Sequence, residues 1–287
     1  MTRPDPIPQV TYNWWWSLTR PWAWIVDCHP RLRRLRRSPE GEDIVRGLDV
    51  VFPAMQHSHK NRVLRAVLRQ RAYAMAVTLL MSMSPRFAEF FARSFPIRGL
   101  ESVGASLRGN QPLVIVTFHT GPLYLWLATV KRAVRGRQIY AMHQDRGALF
   151  HQIVRLLHGM GIVSVPNRPM AMRTLIKVLR EKARPVVTFA CDYAGGSESV
   201  LFCGHRLSVA EGVRALHEAT GAEVLVAVWE HDGFWPSVRF FKPSMERQGA
   251  PAVVPLTQAI FVELEPIVRA MPHRWASWET VVERLSG

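Results

Sequence analysis

The chain has 287 residues, of which 48% are hydrophobic, so it can bury a full core and is too apolar for a disordered segment. Its 37 Lys and Arg residues outnumber its 22 Asp and Glu residues, and the net charge of +15 indicates an anionic partner: a membrane surface, an acidic carrier protein or a nucleic acid. Three cysteines are too few for a disulfide framework and are typical of a reducing compartment.

The first 40 residues are rich in aromatic and basic side chains. Residues 12–28 hold five of the ten tryptophans, and residues 31–37 hold five arginines. Tryptophan favours the boundary between lipid headgroups and acyl chains, and arginine is attracted to anionic lipids. Arg20 and Pro21 interrupt the apolar run, which is therefore too short to span a membrane. We predict a helical interfacial segment over residues 1–40 and one α/β domain over residues 41–287.

Residues 41–95 show helical periodicity, and Pro85 begins a shorter helix that ends near Arg93. After residue 112, apolar runs typical of buried strands alternate with helical segments. The predicted strands cover residues 113–118, 138–142, 162–165, 185–190 and 223–229, with residues 237–241 beside the last. The predicted helices cover residues 122–134, 148–160, 170–182, 209–220 and 252–284. This alternation predicts an α/β fold with a mostly parallel central sheet covered by helices on both faces.

Two polar residues directly follow predicted strands. His119 comes after the first strand, in the sequence VIVTFHTGPLYLW, and Asp192 comes after the fourth. Open α/β sheets bind ligands at the carboxyl ends of their strands. An imidazole placed there can take a proton from a hydroxyl or an amine. The alternatives are a structural histidine and an aspartate that forms an ordinary turn.

The segment from His119 to Tyr124, together with residues 191–212, 220–230 and 271–278, resembles the bacterial lipid A biosynthesis acyltransferases, within the wider lysophospholipid acyltransferase group. The tryptophan-rich N-terminus is similar to theirs. The resemblance implies a peripheral enzyme at the cytoplasmic face of the inner membrane. It would move a fatty acyl group from acyl carrier protein, or from acyl-CoA, to a hydroxyl or amine of a lipid-like acceptor. His119 would be the general base, and neither a metal nor another cofactor would be needed.

The family motif has Asp or Glu five positions after its histidine, and this chain has Tyr124 there. A phenol, with an ordinary pKa of about 10, can orient an imidazole but offers it no negative charge. Three interpretations stay open. Another carboxylate, Asp145 or Asp192, takes over the role; the acceptor is an amine or another good nucleophile that needs less activation; or the chain has lost the reaction and only binds. Tyr124 itself can also be an aromatic side chain that faces the core.

We predict four substrate-binding residues, two of them from the resemblance and two from their position after a strand. Arg155 matches an arginine of the helix before the third strand, Asn167 and Arg168 follow that strand, and Arg206 lies in a segment that would shape an acyl tunnel with Phe202. Guanidinium groups can hold an acidic acceptor or a phosphate of the donor. For each arginine the alternative is a solvated basic surface.

Other kinds of chemistry are less favoured by the sequence. The arginines are not accompanied by a zinc-finger spacing or an RNA-binding aromatic pattern, so we expect no nucleic-acid partner. The pair His57 and His59 lacks acidic or cysteine neighbours for a metal site. Two alternative functions remain: acylation of an amine or a carrier-bound intermediate in a specialised biosynthetic pathway, and a non-catalytic membrane-associated homologue.

Overall fold

The computed structural model describes residues 38–121, 123–143, 150–192, 196–232, 235–245 and 254–285. The predicted interfacial segment lies outside these ranges apart from its last three residues, and Asp145 lies outside them as well. Within the described ranges, we find no helix with the length and apolar character that crossing a membrane would require.

In the described part of the chain, three helices precede the sheet. They are α1 (Pro39–Val51), α2 (His57–Met83) and α3 (Pro85–Ser94). The Ser38 hydroxyl accepts a hydrogen bond from the Gly41 N–H at 3.3 Å, and Pro39 occupies the first turn, which explains where α1 begins. Pro85 begins α3 in the same way, as the sequence predicted.

Strands and helices alternate through the rest of the chain. The next elements are β1 (Ile97–Arg98), α4 (Leu100–Arg108), β2 (Leu113–Thr117), α5 (Leu123–Ala133), β3 (Ile139–His143), α6 (Phe150–Gly159), β4 (Val163–Pro166), α7 (Ala171–Glu181) and β5 (Val186–Ala190). They are followed by β6 (Glu198–Phe202), β7 (His205–Val209), α8 (Gly212–Thr220), β8 (Glu223–Asp232), β9 (Trp235–Phe241), α9 (Leu256–Ala270) and α10 (Val281–Arg284), with short 3₁₀ turns at Pro272–Arg274 and Trp278–Thr280.

Seven strands form one sheet, in the order β1-β9-β8-β2-β5-β3-β4. The five strands from β8 to β4 run parallel, β9 is antiparallel to β8, and β1 is parallel to β9. This arrangement confirms the predicted α/β fold with its mostly parallel sheet. The central strand β2 is buried along its whole length because β8 and β5 flank it and helices cover both faces.

Alternate residues of β2 enter two separate hydrophobic clusters. Val114 and Val116 belong to the first cluster, to which α1, the first half of α2, α7, α8 and α9 contribute. Leu113 and Ile115 belong to the second, to which the end of α2, α4, α5 and α6 contribute. Both faces of the sheet are therefore covered by helices, as predicted.

One predicted helix begins later in the structure than expected. The helix expected from residue 209 begins at Gly212, because residues 198–209 form the hairpin of β6 and β7. The helices expected over residues 252–284 are α9 and α10, and two 3₁₀ turns separate them. Helix α9 continues through Pro266 and ends at Ala270, and Pro272 occupies the first turn of the 3₁₀ segment that follows.

Candidate active site

The candidate site lies where β2 and β5 end side by side. The two strands pair in parallel, with Thr117 opposite Ala190. His119 lies two residues after Thr117, and Asp192 lies two residues after Ala190. The Cys191 N–H donates to the Thr117 carbonyl at 2.9 Å and so extends the ladder beyond the strand ends. Equal extensions from paired ends bring the imidazole and the carboxylate together.

Two hydrogen bonds join His119 to Asp192. The ring Nδ1 lies 2.7 Å from Oδ1, and the main-chain N–H of His119 donates to Oδ2 at 3.0 Å. An ionised carboxylate only accepts hydrogen bonds, so Nδ1 carries the proton and Nε2 of the neutral ring presents its lone pair. The His119 side chain is 25% exposed, whereas that of Asp192 is fully buried. The ring is therefore accessible while its partner is withdrawn from solvent.

The C-terminal part of the chain surrounds Asp192 with further donors. The Trp275 indole N–H and the Ser277 hydroxyl donate to Oδ2, at 2.7 and 3.0 Å. The Arg284 guanidinium donates to the main-chain carbonyl of Asp192 at 3.0 Å. Donors to a carboxylate stabilise its charged form, which is how a fully buried aspartate stays ionised here.

The segment Arg274–Glu279, which we call the strap, also contacts His119 and α2. The Ala276 N–H donates to the His119 carbonyl at 2.8 Å. The Gln70 side-chain amide donates to the Arg274 carbonyl at 2.7 Å, and Arg71 bonds the Ala276 carbonyl and Glu279. The strap thus fixes the backbone of His119 to the helix that packs beside it.

The two titratable groups hold each other in opposite charge states. Desolvation alone would lower the pKa of His119, but the charge of Asp192 and their hydrogen bond outweigh it and raise the pKa above its usual value. Burial alone would raise the pKa of Asp192, but His119 and the Trp275 N–H hold that pKa well below its usual range. The pair therefore favours an ionised carboxylate that stabilises a protonated ring.

Gly121 allows the chain to leave the site without a clash. A Cβ at this position would overlap the indole of Trp229 on β8. The backbone after His119 therefore passes directly over this ring, where only glycine fits. The glycine of the predicted motif thus has a packing reason in the structure.

Tyr124 lies in the first turn of α5, half-buried, and packs against the second hydrophobic cluster. This placement agrees with the alternative of an aromatic side chain facing the core. In the part of the chain that the structure describes, the carboxylate bonded to the His119 ring is that of Asp192. It comes from the end of a neighbouring strand, and the family motif would supply it from the helix after the histidine.

The four predicted substrate-binding residues are exposed and lie on three different elements. Arg155 is on α6, Asn167 and Arg168 follow β4, and Arg206 is on β7. Strand β4 is separated from β2 by β5 and β3, which places its end about 14 Å along the same sheet edge. The structure thus does not gather the four residues around one point, and their roles in binding stay predictions.

Phe202 is fully buried in the first cluster, where its ring meets the edge of Trp275 with centroids 5.2 Å apart. It supports the strap from the core side, and its predicted place along an acyl tunnel stays a prediction. Sequence reasoning missed Ser277, Arg284 and Arg71, because no local pattern marks a residue that reaches the site from elsewhere in the chain. Trp275 is marked only by its family resemblance.

A family model described as bacterial lipid A biosynthesis acyltransferase matches residues 11–278. The matched range includes both His119 and Asp192 and nearly the whole strap. No curated protein matches the chain.

Proposed function

The chain belongs to the bacterial lipid A biosynthesis acyltransferase family, and from this premise we propose that it transfers a fatty acyl group from a thioester to a hydroxyl or amine, with His119 as the general base. The observation that carries the proposal is the 2.7 Å contact between Nδ1 of His119 and Oδ1 of Asp192. It fixes the tautomer in which Nε2 accepts a proton, and the 25% exposure of the ring lets a substrate approach.

The proposed reaction has two proton transfers. Nε2 takes the proton of the acceptor hydroxyl or amine, and at the same time the oxygen or nitrogen of the acceptor attacks the carbonyl carbon of the thioester. The carbon–sulfur bond then breaks, and the proton on Nε2 passes to the departing thiolate. The products are an ester or amide and a free thiol. Between the transfers the ring is an imidazolium, which the buried charge of Asp192 stabilises.

Of the three interpretations of Tyr124, the geometry favours a substitute carboxylate. Asp192 bonds the ring nitrogen that the missing acid would orient, and it supplies the negative charge that a phenol lacks. The chain therefore needs no unusually reactive acceptor to explain its motif. The proposal accordingly keeps both hydroxyl and amine acceptors of lipid-like molecules.

For the donor we propose acyl carrier protein, with acyl-CoA as the second candidate. The net charge of +15 supports either, since an acidic carrier and a phosphate-bearing coenzyme are both attracted to a basic protein. Arg155, Arg168 and Arg206 are exposed, and a surface guanidinium group attracts the phosphate or carboxylate groups of such a donor.

For the location we propose the cytoplasmic face of the inner membrane, with peripheral attachment. The support comes from the end of α2 and from α3, where large apolar side chains are exposed: Met75, Leu79, Leu80, Met83, Phe87 and Phe90. Residues 75–85 include no charged side chain, and α3 adds the exposed Arg86, Glu89 and Arg93, a net charge of about +1. Apolar side chains next to arginine suit an anionic lipid surface.

The central test is substitution of His119 by alanine. Purified wild-type protein and the variant are supplied with acylated carrier protein, and separately with acyl-CoA, together with a lipid extract as acceptor. We expect acyl transfer by the wild type and a loss of about 10²–10⁴-fold in the variant, which is the usual contribution of a positioned general base. Mass spectrometry of the lipid products gives the readout, and thermal unfolding checks that the fold is retained.

Transfer at the wild-type rate by the His119→Ala variant would contradict the assignment of the base. A wild type that binds acyl thioesters but never turns them over would favour the non-catalytic alternative. Acylation of a soluble amine in preference to the lipid extract would favour a role in a specialised biosynthetic pathway.

A further inference from the structure

The Asp192 carboxylate is held by more donors than its contact with the His119 ring requires. Oδ1 bonds the ring, whereas Oδ2 accepts three hydrogen bonds. One of these comes from the His119 main chain, and the other two come from Trp275 and Ser277 of the strap, more than 80 residues away in sequence. The carboxylate is withdrawn from bulk solvent, so these donors determine which of its oxygens faces His119.

We propose that Trp275 and Ser277 are positioning residues for the acyl transfer, holding Oδ2 so that Oδ1 stays in line with Nδ1 of His119. For its catalytic consequence this inference rests on the proposed function. The hydrogen bonds themselves do not depend on that function, so the two ideas can fail separately.

The strap can hold Asp192 in this way because the strap itself is fixed by hydrogen bonds to the His119 backbone and to helix α2. Ala276 lies between the two positioning residues, and its N–H bonds the His119 carbonyl at 2.8 Å. Gln70 and Arg71 on α2 bond the carbonyls of Arg274 and Ala276. One short segment thus sets the position of the histidine backbone and of the aspartate side chain together.

A matched residue separates this role from ordinary core packing. Trp275 and Trp278 are both fully buried, and their rings meet with centroids 4.9 Å apart at 71°. The Trp278 indole N–H donates to the Pro272 carbonyl at 2.7 Å, whereas that of Trp275 donates to Asp192. Substitution of either by phenylalanine removes one N–H and a similar apolar area, but only one of the two changes acts on the carboxylate.

The direction of the electrostatic effect follows from the charges around the ring. Three charged groups act on the His119 ring: Asp192, which follows β5, Glu279 of the strap and Arg71 of α2. In addition, the Arg284 guanidinium of α10 donates a hydrogen bond to the main-chain carbonyl of Asp192. A carboxylate that loses a donor has fewer groups to compensate its charge. The imidazolium then supplies a larger share of that compensation, so the pKa of His119 rises.

The experiment compares the full-length wild type with Trp275→Phe, Ser277→Ala and, as the control, Trp278→Phe. The titration of the His119 ring is followed by NMR, and its signal is assigned by its loss in His119→Gln. We expect the first two variants to raise the midpoint by roughly half a pH unit, and the control to leave it unchanged. We also expect Trp275→Phe and Ser277→Ala to lower kcat for acyl transfer with little change in KM. Ser277→Thr, which keeps a hydroxyl at this position, should retain the wild-type values.

An equal shift in Trp275→Phe and Trp278→Phe, or no shift in either Trp275→Phe or Ser277→Ala, would overturn the inference. If Trp275→Phe does not fold, Ser277→Ala and Ser277→Thr decide the question, because the first removes the hydroxyl that donates to Oδ2 and the second keeps it. A wild type without acyl transfer would contradict the proposed function, and the titration would still decide whether the strap positions Asp192.

Discussion

At the scale of single residues, the site depends on a negative charge kept in a place that water does not reach. An isolated buried carboxylate would take up a proton, because burial disfavours its charged form. Asp192 avoids this through its bonds to His119, Trp275 and Ser277. Its low pKa means that this charge contributes stability above the ordinary pKa of aspartate, near 3.8, and that the contribution is lost as the pH falls below it.

Replacing Asp192 by asparagine tests this charge directly. Asparagine keeps the shape but not the charge, so the largest contribution that opposes the desolvation of His119 is lost and the pKa of His119 falls. In the wild type the neutral base forms only as the pH rises through the raised pKa. We therefore expect the acidic limb of kcat/KM against pH to move to lower pH in the variant. The maximal rate should fall about 10⁴-fold, because the imidazolium loses its counter-charge and the amide favours the wrong tautomer.

The control for this experiment is Asp43→Asn on α1, an aspartate near the surface that pairs with Arg46 one turn away. We expect its pH profile to match that of the wild type. An Asp192→Asn variant with the wild-type rate and an unchanged acidic limb would show that the carboxylate does not assist the base.

The sequence could place His119 and Asp192 separately but could not join them. Each follows an apolar run that reads as a buried strand, and this alone puts both at the carboxyl edge of a parallel sheet. Whether β2 and β5 are neighbours depends on strand order, which one sequence does not reveal. Ser277 and Arg284 could not be predicted either, since they reach Asp192 from more than 80 residues away.

At the scale of elements, α2 links the site to an apolar surface. Gln70 and Arg71 hold the strap, and the exposed residues Met75, Leu79 and Met83 follow on the same helix. Met83 lies about 18 Å along the helix axis from Arg71. A membrane bound at this end of α2 would therefore bring a lipid acceptor within a few helical turns of His119.

We expect the double substitution Met83→Glu and Phe87→Glu to reduce binding to vesicles. Met83 is 79% exposed and Phe87 49%, so glutamates here should leave the fold intact while they repel an anionic surface. Sedimentation with vesicles of anionic and of neutral phospholipid measures the bound fraction. We expect at least a tenfold weaker association with the anionic vesicles, on the order of two apolar side chains withdrawn from the interface.

Val262→Glu is the matched control, because Val262 is 52% exposed on α9, which packs on the first cluster, on the other face of the sheet. We expect it to bind vesicles like the wild type. Equal loss in the control would point to a general effect of charge, and undiminished binding by the double variant would exclude this end of α2 and α3 as the docking face. If the double variant forms fewer dimers instead, the surface is an interface between two copies of the chain.

The hairpin of β6 and β7 shows where local sequence signals were sufficient and were missed. Val200, Phe202, Leu207 and Val209 are buried and alternate with outward-facing residues, a period of two that is typical of strands. Its two-residue turn has positive φ at both Cys203 (53°) and Gly204 (87°), as a type I′ turn requires. Asparagine is the usual first residue of such a turn, and a cysteine there hides the signal.

At the scale of the whole molecule, the two ends of the parallel strands have different roles, one catalytic and one structural. The carboxyl edge holds the His119–Asp192 pair, and the amino edge is tied together by Arg137, which is 7% exposed. This guanidinium donates to five main-chain carbonyls from three segments of chain: those of Ser106, Leu107, Gln111, Arg184 and Pro185. It thus links the ends of two loops that lead into the central strands β2 and β5.

Replacing Arg137 by methionine should therefore lower stability without changing the chemistry. Methionine keeps much of the apolar stem but leaves several half-buried carbonyls without donors, at a cost of about 3 kcal/mol. For a chain of this size we expect the unfolding temperature to fall by roughly 6–12 °C, as measured by circular dichroism. Below the transition, both the His119 titration and the acyl-transfer rate per folded molecule should match those of the wild type. A shifted His119 titration would mean that the amino edge also determines the geometry of the pair at the opposite edge.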